Sequence, residues 1–181
     1  MCNGRIIIIT GSPGTGKTTA AAMAAKESAL PRSVYMHTDD FYHYLRKGAI
    51  PPHLPKSHRQ NRTVIEAFLA AARRFAQDGY DVIVDGIIGP WFLEPWIQAV
   101  REGFLVHYVI LRADREETIK RAVEREKLDR RTNLELVDVM WDQFCDLGAY
   151  EKYVIDTTTL TAEETTARIL KAVEEKTHLL H

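Results

Sequence analysis

The segment Gly11-Ser12-Pro13-Gly14-Thr15-Gly16-Lys17-Thr18 fits the pattern G-x-x-x-x-G-K-[ST] at every required position. No other stretch constrains the fold as much, because such a loop works only between a buried strand and the start of a helix. The flanks satisfy that demand. Arg5-Ile6-Ile7-Ile8-Ile9-Thr10 reads as a buried β-branched strand, and residues 18–28 read as an alanine-rich helix. Gly11, Gly14 and Gly16 allow the backbone of the loop, with Ser12 and Thr15, to turn successive amide N–H groups inward around phosphate oxygens. The helix N-terminus that follows favours anions through its dipole. Lys17 then adds a point charge between the β- and γ-phosphates, the Thr18 hydroxyl is a ligand for Mg²⁺, and Thr19 lies near the α-phosphate.

The chain has 181 residues, 45% of them hydrophobic, which suits one core and predicts a single domain over 1–181. A formal net charge of -1 provides no overall basic field for nucleic acid, although Lys56, His58, Arg59 and Arg62 form a local basic stretch. Two cysteines, Cys2 and Cys145, suit neither a disulfide scaffold nor a zinc site. The N-terminus lacks a signal-peptide layout, and no apolar run approaches the roughly 18 residues of a membrane span. A cytoplasmic location, without membrane association, is the expectation.

Strands and helices alternate along the rest of the chain. Residues 34–38 read as a second strand that ends in Asp39-Asp40, followed by a short amphipathic piece over 41–47 and a proline-rich loop over 48–55. Thr63-x-x-Glu66 has capping-box spacing and predicts the start of a helix whose stripe is Val64, Ile65, Phe68, Leu69, Ala72, Phe75 and Ala76. A third strand over 80–86 finishes in Asp85-Gly86, and a helix is predicted over 91–100. The fourth strand is 104–111. Asp114-x-x-Glu117 opens a charged helix with Ile119 and Val123 on its buried side. Leu134, Val137, Met140, Trp141, Phe144 and Leu147 mark a further helix, 152–157 a fifth strand, and Thr161-x-x-Glu164 the last helix. This alternation implies a parallel sheet covered on both faces, with the binding crevice at the strands' carboxyl ends. The glycine loop, Asp39 and Asp85 share that edge.

Together these anchors, with the R-x-x-x-R spacing of Arg121 and Arg125 and the closing Val154-Ile155-Asp156-Thr157-Thr158, resemble the small P-loop kinases, a group that includes shikimate kinase, gluconate kinase and chloramphenicol phosphotransferase. The resemblance implies a three-layer α/β fold with a five-stranded parallel sheet of order 2-3-1-4-5. It further implies ATP and Mg²⁺ as cofactors, a substrate-binding segment at about 40–62, and a lid at about 121–133. Asp39 falls where several relatives keep the carboxylate that accepts the acceptor's proton. His37 stands where shikimate kinase has a magnesium-linked aspartate, which leaves Asp85 as the carboxylate partner for Mg²⁺. Tyr42 stands where polynucleotide kinases use an arginine.

Phosphoryl transfer needs cations around the equatorial oxygens and a carboxylate beside the attacking hydroxyl. Lys17, Asp39 and Arg125 are the candidate catalytic residues, and Arg121 with the glycine loop forms the nucleotide site. Asp40 is the rival base, or a cap for a helix beginning at Phe41. Arg121 and Arg125 are preferred over Arg130 and Arg131 because a spacing of four puts both on one side of a helix. Tyr42, His43, Tyr44, Lys47, His53, His58, Arg59, Arg62, Trp91 and Phe92 outline an acceptor pocket. The leading expectation is an ATP-dependent phosphotransferase acting on a hydroxyl of a small metabolite or antibiotic. Nucleoside, nucleotide or polynucleotide kinases and a regulatory P-loop ATPase are the alternatives.

Overall fold

The computed structural model describes residues 4–124 and 130–181, with side chains omitted for 130–133. Five strands form one parallel sheet in the order β2-β3-β1-β4-β5: β1 (Arg5–Thr10), β2 (Ser33–His37), β3 (Asp81–Asp85), β4 (Leu105–Arg112) and β5 (Val154–Asp156). Seven helices accompany them among the described residues: α1 (Lys17–Lys26), α2 (Thr38–His43), α3 (His58–Gln77), α4 (Glu94–Arg101), α5 (Arg115–Glu124), α6 (Arg130–Cys145) and α7 (Ala162–Glu174). This is the α/β architecture implied by the alternation of apolar runs, in the strand order of the P-loop kinase fold.

The isoleucine run of β1 explains the centre of the molecule. Ile6 to Ile9 are at most 1% exposed, and alternate side chains point to opposite faces. Ile6 and Ile8 join Phe68, Trp96 and Tyr108 on one side, while Ile7 and Ile9 join Ala20, Ala21, Ile169 and Val173 beneath α1 and α7 on the other. Burying each of these isoleucines contributes about 1.5–3 kcal/mol before entropy is counted. Both faces being covered is why β1 reads as a continuous apolar run instead of an alternating one.

Several local expectations change. Helix α3 begins at His58, five residues before Thr63; the Thr63 hydroxyl donates back to Arg59 O at 3.1 Å, and Glu66 pairs with Arg62 instead of closing a capping box. Helix α2 starts at Thr38 with His37 as its cap, so Asp40 lies inside the first turn and caps nothing. The predicted helix over 91–100 is split into a short 3-10 turn at Pro90–Phe92 and α4. In α5 the buried pair is Thr118 and Ala122, and Val123 is exposed. Helices do start at the other two sites, but only Thr161 and Glu164 form a full capping box, since the Asp114 N–H is taken by Thr158 and the Glu117 carboxylate by Arg121. Asp114 accepts the Glu117 N–H at 2.7 Å, and Thr161 and Glu164 bond reciprocally at 3.2 and 2.9 Å.

Candidate functional site

The first element of the site is the loop between β1 and α1. Gly16 caps α1 with a left-handed backbone, the first turn holds no acid, and no side chain caps the helix among the described residues. Such an uncapped, acid-free N-terminus favours an anion. Lys17 is 7% exposed and donates to Ser12 O at 3.3 Å, which holds its ammonium over the loop. Thr15 donates to the same carbonyl at 2.9 Å. The Ser12 hydroxyl is buried without a hydrogen-bond partner among the described residues, a polar group in want of a ligand. Gly11 is buried in the loop, Thr18 is half-buried and Thr19 exposed.

The loop is buttressed from two sides. A Cβ on Gly14, whose φ is 89°, would stand 2.5 Å from Thr118 O in α5, so only glycine lets loop and helix approach this closely. The Thr157 hydroxyl after β5 donates to Thr15 O at 3.3 Å. Arg121 ties these supports together: Nε meets Glu117 at 2.8 Å, while Nη2 donates to Thr157 O and Thr158 O at 3.1 Å each. That hydrogen bond to Arg121 holds the Glu117 carboxyl below its ordinary range. Arg121 thus lies beside the phosphate loop, whereas Arg125 lies outside the described residues. Of the expected lid at about 121–133, the described parts are the last turn of α5 and the first of α6.

The second element is the row formed where β2 and β3 end. Sheet register sets His37 beside Asp85, and Asp85 beside Ile9, on the face that α1 covers. The Asp85 side chain is fully buried. Its Oδ2 accepts from Tyr35 Oη at 3.0 Å and faces His37 Nε2 at 3.4 Å, while Oδ1 has no hydrogen-bond partner among the described residues. Burial first, then the charge and hydrogen bond of Asp85, push the Tyr35 phenol well above its ordinary value, so it remains a donor.

His37 joins the two carboxylates. Its Nδ1 accepts the Asp39 backbone N–H at 3.2 Å, which leaves the ring proton on Nε2, toward Asp85. The imidazole thereby caps α2 and fixes the turn that carries Asp39. In contrast with Asp85, the Asp39 side chain is 65% exposed. Tyr42, one turn on, has its phenol pushed up to about 12, by burial first and then by the Asp39 charge. None of the sequence signals pointed to Tyr35, to His37 as a cap, or to the carbonyls of Thr157 and Thr158. The register that makes neighbours of positions 37 and 85 is a non-local property.

The outlined acceptor pocket divides. His58, Arg62, Trp91 and Phe92 line a cavity of about 490 Å³ between α3 and α4, together with Ile65, Leu69, Arg73 and Pro95. Tyr42, His43, Tyr44, Lys47, His53 and Arg59 are not part of its lining, and neither are Lys17, Asp39 and Asp85. The cavity therefore does not contain these three residues. No group of three or more potential metal-ligating side chains occurs among the described residues. A cation at this site would therefore draw on phosphate oxygens and water with one or two protein ligands, which is how Mg²⁺ is usually held. Thr18 and the unpartnered Asp85 oxygen fit that pattern. No described helix is long and apolar enough to cross a membrane.

Comparison with known proteins bears on the fold. No curated protein matches the sequence. Among solved structures, an unliganded sugar kinase from a Janibacter species is similar at a TM-score of 0.71 and 19% identity, over 94% of this chain and 95% of that one. The APS kinase of Mycobacterium tuberculosis, in complex with AMPPNP and APS, also has a TM-score of 0.71, with 15% identity over 96% and 99% of the two chains. A tunicamycin resistance protein from Deinococcus radiodurans is similar at 0.65 and 22%, over 98% and 99%. At such identities the likeness establishes the fold, which is that of the small P-loop kinases. A family model described as AAA domain matches residues 7–140, and since that span covers most of the chain and holds the phosphate loop, both strand-end carboxylates, β2 to β4 and the greater part of β1, the chain belongs to the AAA domain family of P-loop proteins.

Proposed function

We propose that the protein is an ATP-dependent kinase that transfers the γ-phosphoryl group to a hydroxyl of a small molecule, a metabolite or an antibiotic. The observation that carries this reading is the contrast between two carboxylates at adjoining strand ends. The Asp39 side chain is 65% exposed and Asp85 is fully buried. An exposed carboxylate is accessible to an acceptor hydroxyl, and a buried one with a spare oxygen suits a cation or its water. The kinases among the similar folds support the same reaction class. One domain over 1–181, with acceptor-binding residues at about 40–62 and a lid at about 121–133, and a cytoplasmic setting complete the proposal.

ATP would supply the phosphoryl group and Mg²⁺, when bound, a cation that offsets phosphate charge. Gly11, Ser12, Gly14, Thr15 and Gly16 cradle the phosphates through backbone amides. Lys17 would neutralise negative charge on the oxygens, Thr18 and Asp85 would hold the metal, and Thr19 and Arg121 would border the nucleotide. Asp39 accepts the proton of the acceptor hydroxyl as that oxygen bonds to the γ-phosphorus and the bond to the β–γ bridging oxygen breaks, leaving ADP. Arg125 stabilises the charge on the transferring group from the lid.

The test measures ADP formation with and without sugars, hydroxy acids, nucleosides, and aminoglycoside and phenicol antibiotics, with mass spectrometry of each acceptor. Turnover stimulated by one class, with a phosphorylated product, is expected. Hydrolysis indifferent to all acceptors but switched by a protein partner would replace the kinase by a regulatory ATPase.

A further inference from the structure

The crossover from α2 to α3 has a charge distribution that the reaction above leaves unused. Between Asp40 and Glu66 the chain carries five Lys or Arg and three His but no Asp or Glu, in a protein whose formal net charge is -1. Elsewhere many of the arginines are neutralised locally. Arg5, Arg73, Arg74, Arg101, Arg112 and Arg115 each hold a carboxylate at 3.3 Å or less. Within the crossover Arg62 does so, with Glu66 at 2.9 Å. Arg46, Lys47, Lys56 and Arg59 are exposed, and none has a carboxylate within 4.0 Å among the described residues. Like charges gathered on one segment repel each other and work against the compact state. Their use lies in the field they create.

The backbone beside Lys56 and Arg59 is tied down by side-chain hydrogen bonds. The Gln60 side chain accepts from Ile50 N at 2.8 Å and donates to Ile50 O at 2.7 Å. Asn61 and Ser57 donate to Pro52 O at 2.7 and 2.8 Å. These four bonds tie residues 50–52 to Ser57 and the first turn of α3, so the segment that carries Lys56 and Arg59 needs little backbone ordering on binding. Because α3 runs from the carboxyl edge of the sheet back to the start of β3, its first turn lies on the same side as the phosphate loop and Asp39. The cationic stretch is bounded in sequence by Asp39 and Asp40 at one end and by Glu66 at the other. That suits a single oxyanion better than a polynucleotide, which needs a longer basic track.

We propose that the acceptor carries an oxyanion (phosphate, sulfate or carboxylate) besides its hydroxyl, and that Arg46, Lys47, Lys56 and Arg59 hold that group at the rim of the acceptor site. The inference rests on the kinase reading and narrows its substrate class. Guanidinium forks bind such groups in bidentate fashion, and the lysines add point charges.

The phosphate loop is first filled with Mg²⁺ and a non-hydrolysable ATP analogue, so that added anions cannot bind there. Inorganic phosphate and sulfate are then titrated separately against the wild type and a fourfold R46Q/K47Q/K56Q/R59Q variant whose fold is checked by circular dichroism. Backbone amide shifts at those four positions report binding. Saturable binding in the wild type, weakened about 10-fold or more in the variant and by added salt, is expected. No saturable binding, or equal affinity in both proteins, would overturn the assignment. Matched acceptors provide the second arm: ribose against ribose 5-phosphate, and glycerol against glycerate. The anionic member should have kcat/KM about 10- to 100-fold higher, in the wild type alone. Equal turnover of the neutral member would overturn the oxyanion site and leave the kinase intact. Rim binding of phosphate without turnover of any acceptor would sustain the oxyanion site and overturn the kinase reading. Affinity for single-stranded oligonucleotides that rises with their length would put a polynucleotide in place of the small acceptor and refute the proposal.

Discussion

At the scale of single residues, burial assigns the work. Asp85 lies inside the sheet with Tyr35 and His37 against one oxygen, while Asp39 projects into solvent from a turn that His37 caps. Replacing Asp39 by Asn should lower turnover by ~10²–10⁴ with ATP affinity retained by calorimetry, the range for a lost general base. An unchanged rate would remove Asp39 from that role. His37 can be dissected with amides of different reach. His37→Asn keeps an acceptor near the place of Nδ1 and should preserve the cap on α2, whereas His37→Gln keeps a donor toward Asp85 and should lose it. Loss of a cap costs about 1 kcal/mol, so amide hydrogen exchange at Asp39 should be faster in the Gln variant, with kcat falling further while KM for ATP holds. Equal exchange in the two variants would sink the capping role.

At the scale of elements, one spacing has two outcomes. Thr161-x-x-Glu164 starts a helix because Thr161 is extended, with ψ at 170°, and its side chain meets the Glu164 N–H. Thr63-x-x-Glu66 does not, because nothing between Pro55 and Thr63 breaks a helix and five residues upstream adopt it first. A capping box is a local pattern, and it is used only where the preceding chain cannot continue the helix. The contact of the phosphate loop with α5 belongs to this scale too. Gly14→Ala must place a Cβ in a left-handed backbone and against Thr118 O, so we expect a loss of at least about 1–2 kcal/mol in urea unfolding. A loss below about 0.5 kcal/mol would mean that loop and helix are not held together as described.

For the whole molecule, the C-terminal segment closes the sheet. Strand β5 pairs with residues 110–112 of β4, and the chain's end continues that edge: Tyr108 N donates to His178 O and Leu180 N to Val106 O, each at 2.8 Å. His107, in the middle of this contact, is 1% exposed, and Nδ1 has no hydrogen-bond partner among the described residues. Burial first, then Arg5, lowers its pKa to about 4; Asp81 opposes, and His178 and Lys176 add to the lowering. The folded value lies below the ordinary 6.5, so between these limits the unfolded chain binds more protons. The stability is complete above about 6.5, is lost as pH falls through the window, and levels off below about 4, a change on the order of 3 kcal/mol. Burial lowers His178 in the same direction. Urea midpoints against pH should therefore slope less for His107→Gln than for the wild type; parallel profiles would assign the acid sensitivity to other groups.

The sequence by itself determined the phosphate loop, the alternation of strands and helices and the edge at which Asp39 and Asp85 lie, because each depends on backbone permission and on apolar periodicity within a dozen residues. Tertiary structure alone decided that His37 stands beside Asp85, that Arg121 clamps the carbonyls of Thr157 and Thr158, and that four cations of the crossover are left without carboxylates among the described residues. Strand register and loop docking bring together residues separated by tens of positions. Their partners are selected by burial and hydrogen-bond satisfaction across the folded chain, which no local pattern encodes.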